Sequence, residues 1–356
     1  MRVYFYSGMQ KLIEKSGVGR AIYHQKMAAD MNRISCTDGL ADADVVHINT
    51  VFPKSLWIAC RAHQSGIPVI FHAHSTKEDF KNSYLGSNLF DGLFGIWIKH
   101  CYSHGDMIVT PSEYSKQLLE SYGIKKEIHV ISNGIDLEYY RKTEDESERM
   151  AFRSKYGYSK EDKIIMSVGL MIGRKGLPEF VELARRFPKY KFIWFGESNL
   201  HTVPKKIRDA VRTELPNLQF AGYVPKSELK RAYEHSDLFL FPSYEETEGI
   251  VVLEALAMKI PILLRDIPVY DSWLVDGRDV YKAADTEEFE IYIRNILEDK
   301  IENLAEQGYE VAKQRDISIV GNELRRIYAK ALDRKMVSAE NCLSVDLTHR
   351  DLRSKI

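Results

Sequence analysis

The stretch that decides the fold is Asp237-Leu-Phe-Leu-Phe-Pro-Ser-Tyr-Glu-Glu-Thr-Glu-Gly-Ile-Val-Val-Leu-Glu-Ala-Leu-Ala-Met-Lys259. Its first part, Asp237–Pro242, is typical of a buried strand that ends at a proline, and Gly249–Lys259 is typical of a helix. Two glutamates with seven residues between them then lie in the loop (Glu246) and on the second helical turn (Glu254). A buried strand, a loop and a helix in this order indicate an α/β fold.

The start of this helix is suited to a diphosphate. The amides of Gly249, Ile250 and Val251 are expected to point toward Glu246, and unpaired amides at a helix start favour an anion. A carboxylate beside such a site would repel phosphate, so we expect it to accept hydrogen bonds from neutral hydroxyls. Nucleotide sugars combine a diphosphate with two sets of hydroxyls. The spacing alone is equally compatible with a surface helix that carries two solvated acids.

The same strand-and-helix rhythm runs along the chain. Short apolar runs alternate with helix-like stretches, which predicts βα units and parallel sheets. The predicted strands are Val3–Tyr6, Val45–Ile48, Val69–His72, Met107–Val109, Ile128–Ile131, Ile164–Val168, Phe192–Phe195, Leu218–Phe220, Leu238–Phe241 and Ile262–Leu264. The prediction is an α/β protein of two doubly wound, Rossmann-like domains, with the ligand site in the cleft between them.

A charged interval divides the two domains. Arg141–Arg149 follows Asn133-Gly134-Ile135-Asp136, a turn sequence that we interpret as a hinge. We predict a first domain over residues 1–140, a linker over 141–162 and a second domain over 163–315. The tail, residues 336–356, has weak periodicity and receives no assignment.

The amino-acid composition limits the class of protein and its expected location. The 356 residues are 44% hydrophobic and 28% charged, with a net charge of −1, which is typical of a soluble globular protein. We expect no membrane-spanning helix and no signal peptide. The four cysteines are scattered, so we expect neither a zinc site nor disulfides, and a cytoplasmic location. A slight basic excess in the first 142 residues permits contact with an anionic surface, and no nucleic-acid partner is predicted.

Two glycine-containing loops are candidate ligand contacts. Gly17 and Gly19 open a helix and would let the backbone approach a ligand, although glycines serve turns equally often. Val168-Gly169-Leu170-Met-Ile-Gly-Arg174-Lys175-Gly176 follows a strand, and its two cations suit a diphosphate whose charge grows as a sugar leaves. A solvated basic turn is the alternative for this second loop.

Two further features lie in the first half of the chain. His72 and His74 follow a strand, and a histidine there is often structural; we favour His74 for a functional role because it lies nearer the cleft. Asn88–Tyr102 carries an apolar helical face that is consistent with a buried helix. It is also consistent with a membrane or acceptor contact through the residues Trp97, Phe94, Lys81 and Lys99.

Residues 237–264 resemble the signature of retaining glycosyltransferases of family 4, which have the two-domain GT-B architecture. The resemblance implies that Glu246 holds hydroxyls of the donor sugar and Glu254 the ribose of UDP. Lys175 matches a family cation and Arg174 is adjacent to it, whereas Leu170 stands where the family has an arginine. The family often has Gly-Phe where this chain has Thr247-Glu248, which bears on sugar selection.

The resemblance extends over most of residues 1–335. It implies that the Gly17–Gly19 loop and Gly169 face the donor diphosphate and that His74 approaches the sugar. It also implies that a last helix, residues 316–335, crosses back to the first domain. Ser16–Gln25 and Arg174–Glu197 are similar to bacterial enzymes that add a second sugar to glycosyl-diacylglycerol.

The resemblance therefore predicts a retaining transferase that uses UDP-galactose or UDP-glucose. It moves an α-hexosyl group onto glucosyl-diacylglycerol, giving a membrane glycolipid that anchors lipoteichoic acid. The expected location is the inner face of the cell membrane, with peripheral contact to an anionic surface. Neither a metal nor a cofactor is expected.

Two alternatives remain open at this point. The same donor site could serve an acceptor that is a soluble or polymeric glycan, such as capsule, exopolysaccharide or a protein glycan. From a different class, the protein could be a non-catalytic nucleotide-sugar-binding partner of another transferase. The candidate residues Glu246, Lys175 and Glu254 speak against the second alternative.

Overall fold

The computed structural model describes residues 1–9, 13–14, 16–143 and 145–353, with side chains as far as residue 335. The predicted tail therefore lies outside the residues whose side chains are described. Within the described part, the chain forms two six-stranded parallel sheets, with helices between the strands. The predicted fold class is confirmed.

The first sheet has the strand order β2-β1-β3-β4-β5-β6. All of its pairings are parallel. Its strands are β1 (Arg2–Tyr6), β2 (Ser35–Cys36), β3 (Val45–Ile48), β4 (Val69–His72), β5 (Met107–Thr110) and β6 (Glu127–Val130).

The second sheet has the order β12-β11-β10-β7-β8-β9, again with parallel pairing throughout. Its strands are β7 (Ile164–Val168), β8 (Lys191–Phe195), β9 (Leu218–Gly222), β10 (Leu238–Phe241), β11 (Ile262–Arg265) and β12 (Tyr281–Ala283). The central strands β7 and β10 are buried along their whole length, as expected for strands covered by helices on both faces.

Helices connect the strands of both sheets. In the first domain they are α1 (Gly17–Met31), α2 (Pro53–Gln64), α3 (Lys77–Phe80), α4 (Ser87–Ser103) and α5 (Glu113–Ser121). The remaining helices are α6 (Glu146–Tyr156), α7 (Leu177–Arg186), α8 (Lys205–Val211), α9 (Lys226–His235), α10 (Ile250–Ala257), α11 (Thr286–Leu297), α12 (Ala305–Lys313) and α13 (Ile317–Arg353).

The chain passes between the domains at one place in both directions. The outgoing segment at Ile135 pairs with the returning segment at Asp316 in a parallel bridge. Helix α13 then packs on the first domain, where its Tyr328 hydroxyl lies 2.6 Å from His47 Nδ1. At Gly321 a Cβ atom would overlap α1, so the absence of a side chain there lets α13 and α1 approach closely.

Candidate active site

The strand order of the second sheet creates a crevice between β7 and β10. From β7 the chain continues outward through β8 and β9, and then returns to the other side of β7 at β10. Ligands of open α/β sheets bind at such a switch point, beyond the carboxyl ends of the strands. Lys175 follows β7 and Glu246 follows β10, so both lie at this crevice.

Lys175 and Glu246 form a buried ion pair at the crevice. The Lys175 ammonium donates to Glu246 Oε1, which also accepts from Ser243 Oγ at 2.6 Å. The ammonium lies 5.2 Å from the centre of the Phe241 ring. The sequence prediction that Lys175 and Glu246 lie at one site therefore corresponds to a direct contact between residues that are 71 positions apart.

Two glycines lie beside this pair. A Cβ at Gly169 would lie 3.4 Å from the Lys175 side chain, an ordinary van der Waals contact, so the space there does not itself require a glycine. Gly176 has a φ of +73° and lies against the Pro242 carbonyl. Because L side chains rarely adopt that conformation, glycine is required where the β7 loop meets the β10 loop.

Arg174 binds both domains. Its Nη1 lies 2.9 Å from Asp79 Oδ1 of the first domain and 3.6 Å from Glu246 Oε1 of the second. Its Nε lies 3.3 Å from Ser83 Oγ, and its backbone N–H donates to the Asn82 carbonyl at 3.1 Å. The guanidinium therefore spans the cleft beside the Lys175–Glu246 pair.

The charged residues of this cluster shift one another's pKa values. Burial raises the pKa of Glu246, but the cations Lys175 and Arg174 outweigh burial and leave the pKa lowered. Burial lowers the pKa of Lys175, and the Glu246 charge opposes this only in part. Burial also raises the pKa of Asp79, against the opposing charge of Arg174. We interpret the site as two cations and a carboxylate, with Asp79 beside them.

Glu254 lies behind this cluster on α10. Its carboxylate accepts from the Tyr140 hydroxyl at 2.5 Å and the Tyr233 hydroxyl at 3.1 Å. Arg20 Nε of the first domain lies 3.6 Å from Glu254 Oε1. A carboxylate has about four acceptor positions, so the two phenols leave capacity for further hydroxyl donors.

Helix α10 begins directly beside Glu246. Gly249 precedes the helix with a φ of +92°, a conformation that glycine adopts without strain. The amides at positions 249–251 belong to the helix start, where backbone N–H groups lack acceptors within the helix. The predicted diphosphate site at Gly249, Ile250 and Val251 therefore lies next to the Lys175–Glu246 pair.

His74 lies at the end of β4 in a buried polar cluster. Its Nε2 is 2.9 Å from Asn49 Oδ1 and 3.4 Å from Gln25 Nε2. Its ring stacks on His72 at 4.1 Å between centroids. Burial lowers the pKa of His74 to about 3, so its imidazole is neutral at physiological pH. A neutral imidazole can donate one hydrogen bond and accept another, but it carries no charge.

The two glycines in the first turn of α1 differ in their surroundings. A Cβ at Gly19 would lie 2.7 Å from the Glu14 carbonyl oxygen, so the close approach of the preceding turn requires a glycine there. A Cβ at Gly17 would meet nothing within 4 Å. Ser16 caps the helix by accepting from the Gly19 N–H. The predicted loop at Gly17 and Gly19 is therefore the first turn of α1, the helix that carries Arg20.

Helix α4 divides its apolar residues between two sides. Trp97 is half-buried and donates its indole N–H to the Val51 carbonyl at 2.6 Å, and Phe94 stacks on Phe80 at 4.4 Å. Lys81 pairs with Asp91 at 3.1 Å, and Lys99 is exposed. The exposed apolar side chains of this region, here called the α4 patch, are Leu85, Leu89, Phe90, Leu93 and Ile96.

The described residues contain no group of three or more His, Cys, Asp or Glu side chains that could hold a metal ion. Among the same residues, no helix combines the length and apolar character that a membrane crossing needs.

Glu245 provides a pH-dependent prediction. Burial raises its pKa from 4.5 to about 7, while the Tyr114 hydroxyl donates to it at 3.1 Å and Asp79, Arg174 and Glu246 face it as charges. Because the folded form holds its proton to a higher pH, the contribution of Glu245 to stability is fully present below pH 4.5 and is lost as pH rises from 4.5 to about 7. In urea unfolding, Glu245→Gln is expected to gain stability relative to the wild type as pH rises through this range.

The exposed Glu161 supplies the control for this measurement. Glu161→Gln makes the same substitution at an exposed position and measures what the loss of this charge does by itself. A pH dependence of Glu245→Gln equal to that of Glu161→Gln would show that Glu245 does not titrate in this way.

The structure adds residues that the sequence prediction did not include. Asp79 and Ser83 bind Arg174, Ser243 binds Glu246, and Glu248 binds Asn133 across the domains. Ser243 adjoins the predicted motif and could have been found from its position. Asp79 lies in a polar segment whose pattern gives no sign of a partner nearly a hundred residues away.

This geometry, with two Rossmann-like domains facing a cleft and a cluster of charged residues at the switch point of the second sheet, defines a GT-B protein. Models of two families match: "Glycosyl transferases group 1" over residues 148–315 and "Glycosyltransferase Family 4" over residues 24–139. The chain is 37% identical to a processive diacylglycerol alpha-glucosyltransferase of Acholeplasma laidlawii, over 93% of this chain and 99% of that one. The protein belongs to glycosyltransferase family 4 and is a sugar-transferring enzyme.

Two further similarities agree with this. An alpha-galactosylglucosyldiacylglycerol synthase of Streptococcus pneumoniae is 26% identical over 76% of this chain and 74% of its own. The crystal structure of Anabaena Alr3699/HepE in complex with UDP-glucose superposes with a TM-score of 0.70 at 16% identity, covering 93% of this chain and 100% of that one. At that identity the superposition supports the fold alone. The predicted family and the predicted enzymatic nature are confirmed.

Proposed function

We propose that the protein is a retaining glycosyltransferase that moves an α-hexosyl group, galactose or glucose, from UDP to glucosyl-diacylglycerol. The observation that carries this proposal is the contact of Lys175 with Glu246 beside Arg174 and the start of α10. The named activities of the glycolipid relatives support a lipid acceptor. The product would be a diglycosyl-diacylglycerol, a membrane lipid suited to anchor lipoteichoic acid.

The proposed donor site is based on the positive charges and free amides that could bind a diphosphate. A diphosphate would bind Lys175, Arg174 and the amides at the α10 start, since cations and helix starts both favour phosphate. Lys175 would then leave Glu246, whose carboxylate becomes available to hydroxyls of the sugar. Glu254 would accept from the ribose hydroxyls, and the first turn of α1, with Gly17 and Gly19, would face the diphosphate.

The proposed step is a substitution on one face of the sugar. The bond between the anomeric carbon and the diphosphate oxygen breaks, and the acceptor hydroxyl oxygen bonds to the same face of that carbon. The acceptor proton passes to the leaving diphosphate oxygen. Lys175 and Arg174 stabilise the charge on the leaving group, while Glu246 and the neutral His74 orient the sugar.

The acceptor would approach along the first domain, from the inner face of the cell membrane. A contiguous exposed apolar surface such as the α4 patch is typical of a membrane or partner contact. Lys81 and Lys99 at its edge suit anionic headgroups. We infer peripheral contact with the membrane, with Trp97 and Phe94 supporting the patch from within.

The α4 patch can be tested separately from catalysis. Leu93 is 65% exposed, and moving a leucine from lipid to water costs about 1.5–3 kcal/mol. Leu93→Glu is therefore expected to weaken binding to anionic vesicles about tenfold or more, measured by cosedimentation. Ile291→Glu is the matched control, because Ile291 is exposed on α11 of the second domain. Equal vesicle binding of both variants would contradict the membrane contact.

Product formation tests the function as a whole. Vesicles that contain diacylglycerol or glucosyl-diacylglycerol are incubated with UDP-galactose or UDP-glucose, and products are read by mass and linkage. A diglycosyl lipid with an α-linkage from one donor is the expected result. Release of UDP without any extended lipid would mean that the acceptor assignment is wrong. Activity is expected to persist in EDTA, and its loss would contradict metal-independent transfer.

A further inference from the structure

Glu248 binds the first domain from within the loop between β10 and α10, residues 242–249, here called the donor loop. Its side chain is almost fully buried, and its Oε2 accepts from the Asn133 backbone N–H at 2.9 Å and from Asn133 Nδ2 at 2.8 Å. Burying a carboxylate is costly unless hydrogen bonds compensate it. This carboxylate therefore has a specific partner, and that partner belongs to the other domain.

Asn133 lies where the chain crosses between the domains. The next carbonyl, at Gly134, lies 2.7 Å from Nδ1 of the buried His24 of α1. The Ile135 N–H then donates to the Arg315 carbonyl at 2.9 Å, within the bridge between the two crossing segments. Glu248 is thus bonded to the segment about which the two domains would move.

A second contact holds the same loop on the first domain. The Thr247 carbonyl accepts from Ser112 Oγ at 2.6 Å and from Ser115 Oγ at 3.0 Å, at the start of α5. The preceding residue, Glu246, binds Lys175 within the second domain. Two consecutive residues therefore bind the first domain directly after the residue that faces the donor.

On the basis of the proposed sugar transfer, we infer that Glu248 is a positioning residue that holds the donor loop against Asn133, so that Glu246 faces the donor sugar when the domains are closed. The loop is short, and a shift at position 248 must move position 246. The contact of Glu248 with Asn133 then links domain closure to the orientation of the Glu246 carboxylate. Closure of this kind also excludes water from the reaction.

Simple packing would not require a carboxylate here. An apolar side chain of similar size would fill the space but would leave the buried Asn133 N–H without its acceptor. A glutamine keeps an acceptor oxygen at the same place and removes the charge. Comparing Glu248→Gln with Glu248→Leu therefore separates hydrogen bonding from packing.

The test measures catalysis and local protection in the same variants. For Glu248→Leu we expect kcat for sugar transfer to fall about tenfold, the Kd for UDP to stay within about twofold, and amide exchange in peptides covering 131–136 and 243–250 to rise about tenfold in the presence of UDP-glucose. Glu248→Gln should restore most of both losses. Glu161→Leu, at an exposed position, is the control for the substitution itself.

The possible outcomes are distinct. Unchanged kcat and exchange in Glu248→Leu would overturn the inference, as would equal losses in the glutamine and leucine variants. A loss of UDP binding in step with kcat would indicate general disruption and also overturn it. If the wild type transfers no sugar to any acceptor, the proposed function is wrong, while the exchange measured with UDP-glucose still supports or refutes the contact.

Discussion

Lys175→Met is expected to lower kcat for sugar transfer by about two to three orders of magnitude, the effect of removing one group that stabilises developing charge. Lys175 lies at the switch point of the second sheet, and its ammonium is placed by Glu246 and the Phe241 ring. Methionine keeps the length of the side chain and removes the charge that would meet the leaving diphosphate. Affinity for UDP should fall as well, since the ground-state diphosphate binds the same cation.

The control for this variant is Lys205→Met. The Lys205 side chain is 80% exposed on α8. It forms an ion pair with Asp209, which lies one turn further along the same helix. A thermal melt accompanies the kinetics, because Lys175→Met leaves Glu246 buried with Arg174 at 3.6 Å and the Ser243 hydroxyl. A folded Lys175→Met variant with kcat within about threefold of the wild type would remove Lys175 from this role.

The sheets could be predicted from sequence because their central strands are short apolar runs. Leu238–Phe241 and Ile164–Val168 have the predicted bounds, since strands buried on both faces carry continuous apolar residues. The edge strands Ser35–Cys36 and Tyr281–Ala283 were not predicted. They are short and partly polar, so no apolar run marks them.

The proximity of Lys175 and Glu246 could also be predicted, because both residues follow strands of one sheet. Lys175 and Glu246 come after β7 and β10, and the topology brings the ends of these strands together. The contacts between the domains could not be predicted. Arg174 with Asp79, and Glu248 with Asn133, join residues far apart in the chain, and neither pair has a periodic pattern.

Glu246→Gln is expected to abolish most sugar transfer, with kcat/KM lowered about a hundredfold or more. Hydrogen bonds to a charged group contribute about 1.5–3 kcal/mol each, and a sugar that presents two hydroxyls would lose two of them. Glutamine also presents an amide N–H₂ toward the hydroxyls, which changes the hydrogen-bonding pattern that orients the ring.

UDP binding separates this variant from Lys175→Met. The carboxylate of Glu246 holds the Lys175 ammonium and repels phosphate, so its neutralisation frees the cation for the diphosphate. Glu246→Gln should therefore bind UDP as tightly as the wild type or more tightly, whereas Lys175→Met binds it more weakly. Titration calorimetry with UDP measures both, and Glu182→Gln on the exposed side of α7 is the control.

The two variants are expected to change UDP affinity in opposite directions, because the two residues of one contact, Lys175 and Glu246, bind different parts of the donor. If Lys175 and Glu246 only stabilised the fold, removing either partner would weaken UDP binding and transfer together, because each variant leaves one buried charge without its nearest partner. If Lys175 binds the diphosphate and Glu246 binds the sugar, Lys175→Met loses the diphosphate contact and Glu246→Gln loses the sugar contact. Near-normal transfer by Glu246→Gln, or weaker UDP binding in that variant, would contradict this division of the donor site.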